Sequence, residues 1–316
     1  MTAETPQETG TLTARPCSVL VGLVGQGVGP SLTPPMHELE GARHGMHYVY
    51  RTIEVDPDHV APPDIEALLW AARRMGFNGL NVTHPVKQAV MPLLDELAVS
   101  AQRVGACNTI VFDDGRTVGH NTDVTGFGAS FDASFGDAAR DRVVVVGAGG
   151  AGSAVTTALA EHGIDDLVIV DIDVARAQEL AARIADLSAG RARGAGPADL
   201  PRLLAEADGV INATAFGMAA HPGTAFDPGL LADDAWVADI VYRPTETPLL
   251  TAARARGLRT MSGLGMAMGQ AADAFEIFTG EPADRAAMTN DLKNLVAAED
   301  AATPAQPDTE EEENRR

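Results

Sequence analysis

Residues Val143 to Gly152 read Val-Val-Val-Val-Gly-Ala-Gly-Gly-Ala-Gly, near the middle of a 316-residue chain. Four β-branched apolar residues mark a buried strand, and the glycines that follow mark a tight turn into a helix. Gly147 allows the turn, Gly149 lets backbone approach a pyrophosphate, and Gly152 lets the helix pack close to the strand. The free N–H groups of that helix then face the phosphates. Gly147, Ala148, Gly149, Gly150, Ala151 and Gly152 are therefore candidate dinucleotide contacts. Well over a hundred residues precede this module, and the substrate is expected among them.

The length accommodates two domains. Apolar residues make up 45% of the chain, enough for a sizeable core. The formal charge is −21; residues 1–17 carry −1 and residues 298–316 carry −5, which leaves −15 on the body. A field of that sign disfavours nucleic acid and anionic membrane as partners. It also repels an anionic substrate, so a carboxylate site needs local donors. Cys17 and Cys107 give neither a disulfide framework nor zinc spacing, and fit a cytoplasmic setting. His37, His44 and His47 lack ligand spacing and read as solvated histidines rather than a metal site. Residues 1–16 have no apolar signal-peptide segment, and no run has the length of a membrane span.

Strands alternate with helices along the chain, which predicts a mainly parallel α/β architecture. Strands are expected at Val19–Val24, Tyr48–Val55 and Gly79–Thr83, with helices at Pro34–Arg43 and Pro62–Met75. Thr109–Phe112 and Thr117–His120 flank Asp113-Asp114-Gly115-Arg116, a hairpin signal. The second half repeats the rhythm with strands at Val143–Val146, Leu167–Val170, Gly209–Ala213 and Trp236–Ile240. Its helices are Ala151–His162, Val174–Leu187, Leu200–Ala207 and Pro248–Arg256. A last helix, Met266–Phe278, is expected to return to the first domain. The resulting division is a disordered tail at 1–17, a substrate domain at 18–121 and 262–297, a doubly wound Rossmann domain at 122–261, and a disordered acidic tail at 298–316. The active cleft is expected between the two domains.

Asp171 closes the strand after the glycine turn. A carboxylate there accepts from both ribose hydroxyls of NAD and repels the 2′-phosphate of NADP. Asp173 adds repulsion, and Arg176 is the only cation nearby. The structural alternative makes the glycines a packing turn and Asp171 a helix cap. The strand–turn–helix context favours the dinucleotide, with NAD ahead of NADP.

Three polar segments mark the substrate side. Ser31 and Thr33 can reach one small anion together, although Thr33 alone could cap the helix at Pro34. Thr83 ends a strand, and Lys87 sits in the first turn of the next helix, where a cation opposes the dipole. Asn108, Asn121 and Asp123 add amide and carboxylate groups at strand ends.

The chain resembles the shikimate dehydrogenases. The matching pieces are Gly22 to Gly25, Ser31-Leu-Thr33-Pro34, Asn81-Val-Thr-His-Pro-Val-Lys87, Gly105-Ala-Cys-Asn-Thr109 and Asn121-Thr-Asp123. They continue with Gly147 to Gly152, Asn212-Ala-Thr214, Gly217-Met218, Asp239 to Tyr242, Thr247 to Leu250 and Gly263 to Gln270. The resemblance implies that Lys87 and Asp123 are an acid–base pair. It implies substrate contacts from Ser31, Thr33, Thr83, Asn108 and Gln270, with Tyr242 close to the bound acid. It extends the cofactor set of glycines, Asp171 and Arg176 to Ala213, Thr214 and Gly263.

Ser31-Leu-Thr33, where Ser-x-Ser is usual, resembles the quinate-using subgroup, and so do Gly79 to His84 and Ala274 to Gly280. Asp171-Ile-Asp173 stands where biosynthetic enzymes tend to carry Asn-Arg-Thr. The expectation is an NAD-dependent oxidation of quinate or shikimate without a metal, by a monomer or homodimer. The alternatives are an NADP-dependent 3-dehydroshikimate reductase, an aminoshikimate enzyme, or a non-catalytic metabolite sensor. Cys107 replaces a usual Val and reads as a small core residue.

Overall fold

The structure, a computed structural model, describes residues 17–187 and 190–302. Of the disordered tails expected from sequence, residues 1–16 and 303–316 lie outside the described residues. The first half contains β1 (Ser18–Gly25), α1 (Thr33–Arg43), β2 (His47–Glu54), α2 (Pro62–Arg74), β3 (Gly79–Val82) and α3 (Val86–Ala89). It continues with β4 (Glu96–Leu97), α4 (Val99–Val104), β5 (Thr109–Asp113), β6 (Arg116–His120) and α5 (Asp123–Phe135). Then follow β7 (Arg142–Val146), α6 (Gly150–Glu161), β8 (Asp166–Val170), α7 (Val174–Ala185), β9 (Arg191–Ala195) and α8 (Leu200–Ala205). The remainder is β10 (Gly209–Asn212), β11 (Trp236–Asp239), α9 (Pro248–Ala255), β12 (Arg259–Ser262), α10 (Leu264–Thr279) and α11 (Arg285–Ala302).

The strands form two sheets. The second has the order β12-β11-β10-β7-β8-β9, with every pairing parallel. Its order reverses between β7 and β10, so a crevice opens at their carboxyl ends, where doubly wound sheets bind ligands. Val143, Val144 and Val145 are completely buried there, because helices cover both faces.

The first sheet has the order β2-β1-β3-β5-β6-β4. It is mainly parallel, with β1–β2, β1–β3 and β4–β6 paired that way, and β5 alone runs antiparallel, to both β3 and β6. The Asp-Gly hairpin sets β5 against β6: Asp114 and Gly115 take φ of 42° and 82°, the conformation a two-residue hairpin turn requires.

Sequence reasoning missed α5, which carries Phe127, Phe131 and Phe135 four residues apart on one buried face. Phe135 stacks on Trp236 at 4.5 Å between ring centroids. Two glycines and β-branched residues weaken the local helix signal of this segment, and burial supplies what propensity does not. The strands β4, β9 and β12 and the helices α4 and α11 were also unforeseen. Strand β9, Arg-Ala-Arg-Gly-Ala, forms an edge and shows no apolar alternation. Helix α10 packs Ala274, Phe275 and Phe278 among β1 and β2 side chains. Helix α11 buries Met288, Leu292 and Val296 and runs past the tail boundary drawn at 298.

His37 is a second correction. It is fully buried, not solvated, with its ring edge-on to Tyr50 at 5.0 Å between centroids and its Nδ1 3.0 Å from the Tyr48 hydroxyl. Burial lowers its pKa to about 3, so it stays neutral. His44 and His47 are exposed.

Candidate functional site

Lys87 donates from Nζ to Asp123 Oδ2 at 2.6 Å. The lysine comes from α3, a single turn after β3, and the aspartate opens α5. A one-turn helix carries little dipole, so the penalty expected for a cation there is small. The side chains are 19% and 9% exposed, which leaves one side open to a substrate while bulk water is largely excluded. Asn108 donates from Nδ2 to the other oxygen, Asp123 Oδ1, at 3.0 Å and to Thr122 Oγ1 at 3.0 Å. The Asp123 amide in turn donates to Asn121 Oδ1 at 3.1 Å. Two strand ends and one helix start thus hold a single carboxylate.

Helix α10 reaches the same place, where the backbone carbonyl of Gln270 accepts from Thr122 Oγ1 at 3.0 Å, while its side-chain amide donates to Ala267 O at 3.0 Å. That approach depends on Gly126 and Gly269. A Cβ on Gly126 would lie 2.7 Å from Gln270 N, so α5 and α10 meet backbone to backbone. Thr83 lies against β1, its methyl 2.3 Å from where a Gly25 Cβ would be.

Ser31 and Thr33 stand together at the start of α1, where Ser31 Oγ accepts from Thr33 N at 3.3 Å. Thr33 is the first helical residue rather than the cap. Tyr242 packs on the cluster containing Leu32 and Met36, and so belongs to this end of the cleft. Burial raises its hydroxyl pKa and keeps it protonated. The neighbouring Arg243 donates to Pro30 O at 2.5 Å and to Glu299 at 2.8 Å, tying the loop after β11 to the loop before α1.

On the opposite wall the glycine turn is built for a close approach. Gly147 has φ of +109°, and a Cβ there would lie 2.7 Å from Ala213 O. A Cβ on Gly152 would fall 1.9 Å from Gly147 O. Among the described residues, nothing lies within 4 Å of the Cβ position of Gly149, and none caps the start of α6 with its side chain. Its first N–H groups are thus free to receive a phosphate, and the cradle fits a dinucleotide. Ala151 lies in the first turn of α6. Asp171 accepts from Ala148 N at 2.7 Å and Asp173 N at 2.9 Å. The helix cap is Asp173, which accepts from Arg176 N, so the capping alternative for Asp171 fails. Arg176 is exposed and 3.8 Å from Asp173.

The sequence resemblance matched Asn212 to Thr214, Asp239 to Tyr242 and Thr247 to Leu250 but gave Asn212, Asp239 and Thr247 no role, and the structure joins them in one group behind this cradle. Asp239, fully buried, accepts from Asn212 Nδ2 at 2.9 Å, Thr247 Oγ1 at 2.7 Å and Val241 N at 3.0 Å. Burial raises its pKa although three donors oppose the shift. Thr214 Oγ1 donates to Asn212 Oδ1 at 2.6 Å, so this group shapes the loop that follows β10. Three polar residues at strand ends or helix starts were the available signal. Gly263 caps the start of α10, and a Cβ there would lie 2.1 Å from Ile240 O, so close packing requires a glycine.

The walls meet at Lys87. A Cβ on Gly150 would be 3.5 Å from Lys87 Cδ, so the ion pair faces the glycine turn directly. Three family models cover the chain: the shikimate dehydrogenase substrate binding domain over residues 23–110, shikimate / quinate 5-dehydrogenase over 131–220, and the shikimate 5′-dehydrogenase C-terminal domain over 263–293. The chain belongs to the shikimate dehydrogenase family. It is 51% identical over 88% of its length to a shikimate dehydrogenase (NADP(+)) of Streptomyces avermitilis, spanning 96% of that protein. It is 50% identical over 88% of its length to a quinate/shikimate dehydrogenase (NAD(+)) of Corynebacterium glutamicum, spanning 99% of that protein. The structure of quinate dehydrogenase from Corynebacterium glutamicum in complex with NAD superposes with a TM-score of 0.82 at 49% identity, covering 88% of this chain and 99% of that one. Membership in this family makes the chain an oxidoreductase acting on a CH–OH group with a pyridine nucleotide. Among the described residues, no helix is long and apolar enough to cross a membrane.

Proposed function

We propose that the chain oxidises a ring alcohol of quinate or shikimate with NAD. The observation that carries this is the Lys87–Asp123 pair seated against the glycine turn. When bound, the oxidised nicotinamide accepts the hydride from the carbon that bears the hydroxyl. The hydroxyl proton passes to the Lys87–Asp123 pair, and the ammonium polarises the carbonyl oxygen that forms. Ser31 and Thr33 offer hydroxyls to the carboxylate of the acid, beside the protonated Tyr242. Thr83, Asn108 and Gln270 face its hydroxyls. The two protons on Asn108 Nδ2 already have partners, so its contribution is mainly to hold Asp123.

Relatives at about 50% identity carry both cofactor names, so the choice of NAD rests on Asp171. Its carboxylate and that of Asp173 disfavour a 2′-phosphate, and Asp173 already engages Arg176. The test is a steady-state assay with quinate and shikimate, each with NAD and with NADP. The expected result is turnover in which kcat/KM with NAD exceeds that with NADP by about tenfold or more, a difference of ~1.4 kcal/mol. Oxidation of shikimate with NADP alone would favour the biosynthetic reading instead. No turnover in any combination would leave the aminoshikimate enzyme and the sensor as the standing readings.

A further inference from the structure

We infer that Tyr50, Asn81 and Thr109 are positioning residues that orient Asp123 through a one-way line of buried hydrogen bonds. The inference rests on the dehydrogenase reading above. Tyr50 OH donates to Asn81 Oδ1 at 2.6 Å, and Asn81 Nδ2 donates to Thr109 Oγ1 at 2.9 Å. Thr109 Oγ1 donates to Asn108 Oδ1 at 2.9 Å, and Asn108 Nδ2 donates to Asp123 Oδ1 at 3.0 Å. Tyr50, Asn81, Thr109 and Asn108 are each at most 4% exposed.

The direction of the line is forced. Asn81 Nδ2 also faces the carbonyl of Asn108, which can only accept, so the amide cannot be reversed. Asn108 Oδ1 faces the backbone N–H of Thr122, which can only donate, so this amide is fixed as well. The Thr109 hydroxyl accepts from Asn81, which directs its own proton to Asn108. Every donor therefore points toward Asp123, and hydrogen bonds aligned this way polarise one another.

A strand whose four residues are all buried would ordinarily be apolar throughout. Strand β3 places an asparagine in the middle of Gly-Leu-Asn-Val, and all its amide atoms are partnered. What the line achieves is visible at its end. It fastens Oδ1 of Asp123, which leaves Oδ2 for Lys87. A carboxylate free to rotate would present either oxygen to the ammonium, and the pair would lose its fixed aim at the substrate.

The experiment compares Tyr50→Phe, Thr109→Val and Thr109→Ser in the full chain, with quinate and shikimate as substrates. Tyr50→Phe and Thr109→Val are expected to lower kcat about tenfold while KM for acid and cofactor changes less than about twofold. Thr109→Ser, which keeps the hydroxyl, regains most of the loss. In an Asp123→Asn background, Tyr50→Phe has no further effect on kcat, because the group it orients is gone. A kcat within about twofold of the wild type in both variants overturns the inference, and so does an equal loss in the Asp123→Asn background. A crystal structure of Thr109→Val is the arm independent of turnover, and the Asn108–Asp123 hydrogen bond is expected to be broken in it. If the wild type turns over neither acid, the dehydrogenase reading fails, and an unchanged Asp123 in that crystal overturns the positioning role separately.

Discussion

Lys87 and Asp171 answer separate questions, one about the proton and one about the nucleotide. Removing the ammonium with Lys87→Ala is expected to lower kcat by about 10²–10⁴, the usual contribution of a positioned acid–base group. NAD binding, followed by fluorescence titration, should stay within about threefold, since the phosphates rest on backbone N–H groups. Near-normal turnover would remove Lys87 from the chemistry. Asp171→Ser with Ile172→Arg is expected to raise kcat/KM with NADP by at least about tenfold relative to NAD. Ile172 is 91% exposed, so an arginine there costs no packing. The serine, however, replaces the acceptor for Ala148 N and Asp173 N, so some stability should be lost in thermal unfolding. Unchanged cofactor selectivity would mean the ribose is read elsewhere. At this scale the sequence was most legible for Lys87, Asp171 and the glycines, which local chemistry marks, while the role proposed for Asp123 came from the family resemblance. Tyr50 and Asn81 carried no such mark, because their role exists only once β2, β3 and β5 lie in register.

Among the elements, the contact of α5 with α10 matters most for the site. Gly126→Ala places a methyl 2.7 Å from Gln270 N and 2.8 Å from Met266 O, backbone atoms that cannot yield cheaply. Overpacking of this kind costs about 1–3 kcal/mol. Asp123 lies one turn earlier and Thr122 bonds the Gln270 carbonyl, so kcat should fall as well. Denaturant unfolding and steady-state rates test both, and a variant as stable and active as the wild type would show that the helices separate freely. The sequence foretold the hairpin, the helices at Pro34 and Pro62 and the strand before the glycines, where turn residues or unbroken periodicity act locally. It did not foretell α5, β9 or β12, since their residues are only average formers of those structures. The neighbours that bury Phe127, Phe131 and Phe135, or that pair with Arg191–Ala195, decide the matter.

For the molecule as a whole, acid stability has an identifiable contributor. His37 is held neutral by burial among Tyr48, Tyr50, Phe275 and Phe278, with a pKa lowered to about 3 from 6.5. Below pH 6.5 the unfolded chain takes up a proton that the folded chain refuses. The folded state therefore loses up to ~1.4 kcal/mol per pH unit as pH falls from about 6.5 toward 3, and none above that window. His37→Phe should show a shallower fall in unfolding free energy between pH 6.5 and 4.5, whatever its stability at pH 7. Parallel pH slopes for the two proteins would show that His37 titrates normally.

The sequence by itself determined the glycine turn and the alternating α/β rhythm, because each is written in contiguous residues with a local physical cause, while its resemblance to the shikimate dehydrogenases pointed to the family and to Lys87 and Asp123 as the pair proposed to move a proton. Tertiary structure alone decided which oxygen of Asp123 faces Lys87, that Lys87 lies against Gly150, and that His37 is sealed among aromatic rings. Those facts join residues dozens of positions apart, and only the packing of one element on another brings such residues within hydrogen-bond reach.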